Sequence, residues 1–337
     1  MMRYEDKVKW LSGALVVLLL VWGLGEFFSP ERVAARTETG TLLANKADAA
    51  ADIMVSVGTS SLHLQKNGGL WQVMDGGDAL PAQASRVDAF LSALAKSGHR
   101  RPVAKAADAW KNLGLDEAQA KSLKIADAKG RVLLDLKAGN RGPTGSGLYV
   151  RFASSNDSWL IDADISSWLV ADRGSWLDLR VWRDQLGSDK VQSAMATADV
   201  DFGAQAAAPS GSAAAKKAPA HRVSWSFERV ADGWKGGSPA PDAVTVESML
   251  RAALNLEAVD LAAHAPAGAF DKIVATLTLS LGTGATRVVE VGAPASDGRY
   301  WVRTSDNGQA SALSYQVSTW SLASIFKDAA AFGKKAP

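Results

Sequence analysis

The chain has 337 residues, with 37 Lys and Arg against 35 Asp and Glu, a net charge of +2, and 47% hydrophobic residues. That length accommodates two ordinary domains, and the near balance of charge excludes the strongly basic footprint of a nucleic-acid binder. The absence of cysteine excludes disulfides, thiolate metal sites, a cysteine nucleophile and a lipidated N-terminal cysteine.

The first element predicted along the chain is a membrane span. Residues 10–25 read WLSGALVVLLLVWGLG without a charge, and Phe27 and Phe28 follow Glu26. As a helix, Trp10 to Phe28 measures about 28 Å at ~1.5 Å per residue, which matches a hydrocarbon core of roughly 30 Å. Trp10, Trp22, Phe27 and Phe28 place aromatics near both ends, as interfacial anchors do. A cleaved signal peptide has a shorter apolar region and a small-x-small site, whereas residues 26–30 read Glu-Phe-Phe-Ser-Pro. The expectation is an uncleaved transmembrane helix, 10–28, behind a cytoplasmic tail, 1–9. Arg3, Lys7 and Lys9 precede the span and outnumber Arg32 and Arg36 after it. The positive-inside rule then puts the remainder outside the cytoplasm. In a bacterium that is a single-pass inner-membrane protein with a periplasmic C-terminal domain. Residues 29–51 are polar and alanine-rich and read as a juxtamembrane linker.

From 52 to 185 the pattern predicts a first α+β unit of mainly antiparallel sheet. The stretch LQKNGGLWQV, 64–73, reads as strand, turn and a second strand carrying Trp71. Val87, Phe90, Leu91 and Leu94 then fall at i, i+3, i+4 and i+7, one apolar stripe of an amphipathic helix. Lys96, His99, Arg100, Arg101 and Lys105 follow it. Such a cluster suits anionic headgroups or an acidic partner, and a helix C-terminus also favours cations on its own account. Strands resume at 122–136 around Lys129-Gly130. The stretch GNRGPTGSGLYVR, 139–151, is glycine-rich, but no Lys-Ser or Lys-Thr pair follows it and it opens no helix, so it is not read as a phosphate loop. Its glycines are read as suppliers of positive φ in a wide hairpin turn.

Asp162 and Asp164 lie two apart on a predicted strand and so share a face. A pair of that kind can hold a hard cation or do acid–base work, or simply form a solvated face; Asp199 and Asp201 repeat the pattern. Trp159, Trp168, Trp176 and Trp182 crowd the same region. Trp176 and Trp182, with Asp178, Arg180 and Arg183, are the candidate unit–unit or partner interface.

Residues 186–330 repeat the plan, before a tail, 331–337. FERVADGWKG, 227–236, mirrors the first hairpin with Trp234, and Val246, Met249, Leu250 and Ala253 repeat the helical stripe. Residues 276–291 alternate around Gly282–Gly284. At an offset of 152, Val150-Arg151 matches Val302-Arg303, and Ile165-Ser166-Ser167-Trp168 matches Val317-Ser318-Thr319-Trp320. On that offset Ser314 and Gln316 answer Asp162 and Asp164, a short helix closes each unit, and Trp168 and Trp320 pack alike. The low-complexity segment 203–220, rich in Ala, Pro, Ser and Lys, reads as a loop inserted in a hairpin of the second unit.

The four histidines, His63, His99, His221 and His264, form no HExxH, and no Gly-x-Ser-x-Gly elbow occurs. No catalytic, cofactor-binding or metal-binding residue is therefore assigned. The succession of Leu-Trp-Gln-Val (70–73), a helix, Leu113-Gly114-Leu115-Asp116, Lys137-Ala138-Gly139 and Gly147-Leu148-Tyr149-Val150-Arg151 resembles the DUF4340 family of bacterial envelope proteins. The resemblance is strongest over 52–185, and the second unit lacks the Gly-Leu-Asp signature. Such proteins are often encoded beside a permease and an auxiliary subunit of gliding-motility-type ABC systems. The resemblance therefore implies a non-catalytic accessory or scaffold role in an ABC-type transport or envelope complex. A glycan- or lipid-binding module and an envelope hydrolase using Asp162 and Asp164 are the competing expectations.

Overall fold

The computed structural model describes residues 41–143, 145–207, 222–237, 240–295 and 298–333. The expected tail 1–9, membrane helix 10–28 and the start of the linker lie outside the described residues. Among the described residues no helix is long and apolar enough to cross a membrane. The chain divides into two compact units, one of Met1–Met74 with Ala84–Trp176, the other of Asp75–Gln83 with Leu177–Pro337.

The first sheet is built from β1 (Ala50–Val57), β2 (Ser60–Asn67), β3 (Leu70–Asp75), β4 (Asp78–Pro81), β5 (His99–Ala104), β6 (Lys121–Asp127), β7 (Val132–Arg141), β8 (Leu148–Phe152) and β9 (Ser158–Ile161). Its order is β4-β3-β2-β1-β6-β7-β8-β9-β5. Helix α1 (Ala84–Lys96) lies between β4 and β5 in the chain, and the single turn α2 (Trp110–Leu113) precedes β6. The stripe Val87, Phe90, Leu91 and Leu94 is the buried face of α1. Each such side chain contributes about 1.5–3 kcal/mol over leaving it in water. Ile53, Val55, Leu64, Leu123, Ile125 and Leu136 of the sheet are fully or nearly fully buried, as period-2 alternation on a half-covered sheet requires.

The second sheet is built from β10 (Val191–Ala198), β11 (Val223–Val230), β12 (Gly233–Lys235), β13 (Asp260–Ala262), β14 (Ala275–Leu281), β15 (Thr286–Pro294), β16 (Arg299–Asp306), β17 (Gln309–Ala310) and β18 (Ser314–Ser318). Its order is β12-β11-β10-β14-β15-β16-β18-β13, with β17 on β16. Its helices are α3 (Phe202–Ala207), α4 (Ala243–Leu254) and α5 (Thr319–Ile325). Apart from β4 and β17, the two orders are the same list of roles, so the duplication is visible in the topology itself. The registers agree in detail. Lys66 faces Trp71 across the first hairpin, and Arg229 faces Trp234 across the second. Each cation lies over its ring, at 5.7 and 4.4 Å.

The glycine-rich stretch is indeed a hairpin connection, between β7 and β8. Gly145, Gly147 and, in the second copy, Gly298 have positive φ, as read. Gly139 and Gly292 have a different purpose. Neither has positive φ, but a Cβ at Gly139 would collide with the Leu113 carbonyl oxygen and one at Gly292 with that of Ala269. Both sit where a loop crosses the sheet at backbone contact distance.

Several boundaries differ from the sequence reading. The fold includes part of the expected linker: Leu42 and Leu43 are buried, and Leu42 N–H donates to the Ser97 carbonyl at 2.9 Å. Of the expected loop 203–220, residues 203–207 belong to α3. Phe202 packs on Tyr300 and Phe326 at 5.2 and 5.5 Å, and the Tyr300 hydroxyl donates to Gln205. Residues 208–221 lie outside the described residues, and the flanking β10 and β11 do pair as a hairpin. The expected tail from 331 begins inside the fold, since Phe332 is fully buried against Trp225 and Phe227.

The C-terminal alignment also shifts. Val150 pairs with Trp159 and Val302 with Tyr315, so β9 corresponds to β18 with Ile161, not Ile165, in the place of Val317. A helix follows only in the second unit, where Ser318 caps α5 by accepting from Ser321 N–H at 3.1 Å. The matching stretch of the first unit is a turn. Trp168 stacks on Phe90 at 6.1 Å, whereas Trp320 is 75% exposed.

Candidate functional site

The expected acid pair is not on a strand. β9 ends at Ile161, and Asp162 and Asp164 fall in the turn beyond it. Asp162 accepts from Gly98 N–H at 2.8 Å. Asp164 accepts from Ser166 N–H at 2.9 Å and pairs with Arg141 at 2.8 Å. Burial alone would raise the Asp164 carboxyl, but these Ser166 and Arg141 contacts outweigh it and hold the group below its ordinary value. Both acids tie down turns. Among the described residues no cluster of three or more potential metal ligands occurs.

Of the basic cluster, Lys96 and Lys105 are exposed, while Arg100 and Arg101 fall on β5, the edge strand, with side chains outside the described residues. Trp176 and Trp182 are not surface anchors. Trp176 is fully buried in the first unit, 5.7 Å from Phe90, with the Arg86 guanidinium 5.0 Å from its ring. Trp182 is buried in the second unit and donates to the Ala253 carbonyl at 3.2 Å. Asp178 and Arg180 form a bidentate pair at 2.8 Å. For Asp178, burial raises the carboxyl, but the Arg180 contacts prevail and lower it. Arg180 and Arg183 remain exposed.

Three of the segments quoted for the family resemblance, 113–116, 137–139 and 147–151, meet around Arg151. Arg151 is 6% exposed, lies 3.9 Å over the Trp110 ring, and donates to the Leu115 carbonyl at 3.1 Å and to Glu117 at 2.6 Å. Its cross-strand neighbour is Lys137, a like charge that on its own is unfavourable. Glu117 bridges the two by also accepting from Lys137 at 2.8 Å. Those hydrogen bonds, Lys137's first, hold the Glu117 carboxyl below its usual value. Gly114, left-handed at the end of α2, turns the chain so that Leu115 and Glu117 reach Arg151. The second unit solves the same problem without that loop. Glu290 stands opposite Arg303 and pairs with it directly at 2.6 Å. This explains why the Gly-Leu-Asp signature is missing there.

The match to a family model is in keeping with these residues: the model of a domain of unknown function, DUF4340, matches residues 71–272, more than half of the chain. The chain belongs to the DUF4340 family. The DUF4340 match starts at Trp71 and runs past the first unit to Lys272 in the second, so the family domain is not a single repeat. No curated protein and no solved structure matches.

The second unit carries a cleft of about 280 Å³ lined by Val181, Trp182 and Arg183, by Thr304 and Asp306 of β16, by Gln309, and by Ser311, Ala312, Leu313 and Tyr315. The segment before it is pinned by Val181 N–H to the Leu256 carbonyl at 3.0 Å and Ala258 N–H to the Leu179 carbonyl at 2.8 Å. Asp306-Asn307-Gly308-Gln309 forms a two-residue hairpin turn with φ of 50° and 77° at its centre, the conformation that favours Asn-Gly. That turn sets Asp306 and Gln309 opposite each other. Beside the cleft lies Arg287, 4% exposed, its guanidinium 4.9 Å from the Trp182 ring and ion-paired with Asp184. Asp306 stands across the ladder from it. Tyr315 is buried, and desolvation pushes its hydroxyl upward despite hydrogen bonding to Ser311 and the charge of Arg183.

Of these residues the sequence reading named only Trp182 and Arg183. The others were findable by comparing the repeats. The registers set Arg287 against Leu134, Thr304 against Phe152 and Tyr315 against Trp159. The first copy is apolar where the second is polar.

Proposed function

We propose that this chain is a membrane-anchored, non-catalytic accessory or scaffold protein of an ABC-type transport or envelope complex, acting on the periplasmic side of a bacterial inner membrane. The apolar run 10–28 supplies the anchor in this reading. The observation that carries the non-catalytic part is the employment of Asp162 and Asp164: each carboxylate is committed to a turn N–H, and Asp164 also to Arg141. A general acid–base pair needs a carboxyl free to face substrate.

The test is extraction of the full chain from native membranes in mild detergent. Co-purification of a permease, together with full function of the Asp162→Ala/Asp164→Ala double variant in cells, is the expected result. A chain that extracts alone, or a folded double variant without function, contradicts it. A second reading, a polar-ligand-binding module, is favoured by the cleft of the second unit.

A further inference from the structure

We infer that the cleft beside Trp182 binds a neutral polyol of monosaccharide size. This goes beyond the scaffold reading and stands or falls independently of any permease.

The first argument is the internal comparison that the duplication provides. The same fold is built in the first unit with Leu134, Phe152 and Trp159 at the positions of Arg287, Thr304 and Tyr315. The sheet therefore does not need a polar corner there. Replacing three packed apolar side chains by an arginine, a threonine and a tyrosine gives up transfer free energy and requires each polar group to find a partner. Arg287, which is not itself a lining residue, backs the cleft through the Trp182 ring and its ion pair with Asp184.

The second argument is charge. Arg183 and Asp306 line the cleft, and Arg287 and Asp184 lie paired beside it. Two cations against two carboxylates cancel, so the site offers no net attraction to a strongly anionic or cationic ligand. What remains is a mixed set of donors and acceptors: a guanidinium, a carboxylate, the Gln309 amide and the hydroxyls of Thr304, Ser311 and Tyr315. Adjacent hydroxyls, each both donor and acceptor, answer such a set without carrying charge.

The third argument is size and shape. A volume of about 280 Å³ falls just below the usual range of ligand pockets, roughly 300–1,000 Å³, which suits a single ring and not a peptide. Val181, Leu313 and the accessible edge of Trp182 give the C–H face of such a ring an apolar wall.

The experiment is isothermal titration of the detergent-solubilised full chain with glucose and with N-acetylglucosamine, with citrate and inorganic phosphate as anionic comparisons. Arg183→Ala and Gln309→Ala change exposed side chains and should leave the melting temperature unchanged. Thr304→Phe installs the residue of the first unit. Binding of at least one sugar, weakened about ten-fold or more in both alanine variants and abolished in a folded Thr304→Phe, is the expected result. Absence of sugar binding, sugar binding indifferent to the two alanine variants, or binding of only citrate or phosphate overturns the inference.

Discussion

Arg151 and Arg303 occupy equivalent places on β8 and β16, yet their surroundings differ. Arg151 is buried, stacked on Trp110 and bonded to the Leu115 carbonyl, so its removal leaves a carbonyl without its donor. Arg303 is 43% exposed in its side chain, lies 4.8 Å from the Phe270 ring and is paired with one acid, Glu290, that is 33% exposed. Arg151→Ala is therefore expected to cost about 1–3 kcal/mol, and Arg303→Ala below about 1 kcal/mol, measured by chemical denaturation of each variant. Equal costs would show that the signature loop adds nothing. A second residue-scale outcome concerns pH. Burial raises the Glu247 carboxyl, but hydrogen bonds from Ser188, Trp234 and Arg229 outweigh it, so the folded value lies below 4.5. A depressed carboxyl contributes stability that is present above its unfolded value and lost as pH falls through the folded one. Between about pH 5 and about pH 3 the melting temperature of the native chain should therefore fall more steeply than that of Glu247→Gln. Parallel curves would deny Glu247 this role.

At the scale of elements, the two apolar stripes at helical spacing became the buried faces of α1 and α4, because a 3.6 period over three turns admits no other reading. The hairpins at Lys129-Gly130 and Gly282–Gly284 were equally legible, since Gly130 and Gly284 take positive φ. Three things escaped. The single offset of 152 hid the four-residue difference between the β8–β9 and β16–β18 connections, so Asp162 and Asp164 were placed on a strand. The alanine-rich composition after Phe202 hid α3, whose one large anchor is Phe202 itself. Glycine was read as turn-forming everywhere, although Gly139 and Gly292 serve close approach. That last distinction is measurable. Gly139→Ala and Gly292→Ala must push backbone carbonyls aside and are expected to cost more than about 2 kcal/mol each. Gly130→Ala meets open space and bears only the left-handed penalty, about 1 kcal/mol. If all three cost the same, positive φ is not what separates them and the close-approach argument fails.

At the scale of the whole molecule, one chain carries the same sheet order twice, and the copies have diverged in chemistry more than in architecture. The first spends its distinctive motif on a buried arginine, and the second keeps a polar cleft where the first is apolar. Composition and repeats revealed this plan; they did not reveal the cleft, because its residues come from β16, β18 and the segment around Trp182, far apart in sequence. The proposed role places this pair of units beside the membrane as a partner-holding module. Photo-crosslinking from Arg180 and Arg183 in intact membranes, followed by mass spectrometry of the captured species, addresses that role most directly. Peptides of an ABC permease or its auxiliary subunit joined to these positions are the predicted product. Crosslinks confined to the chain itself, at full expression of the permease, would contradict it.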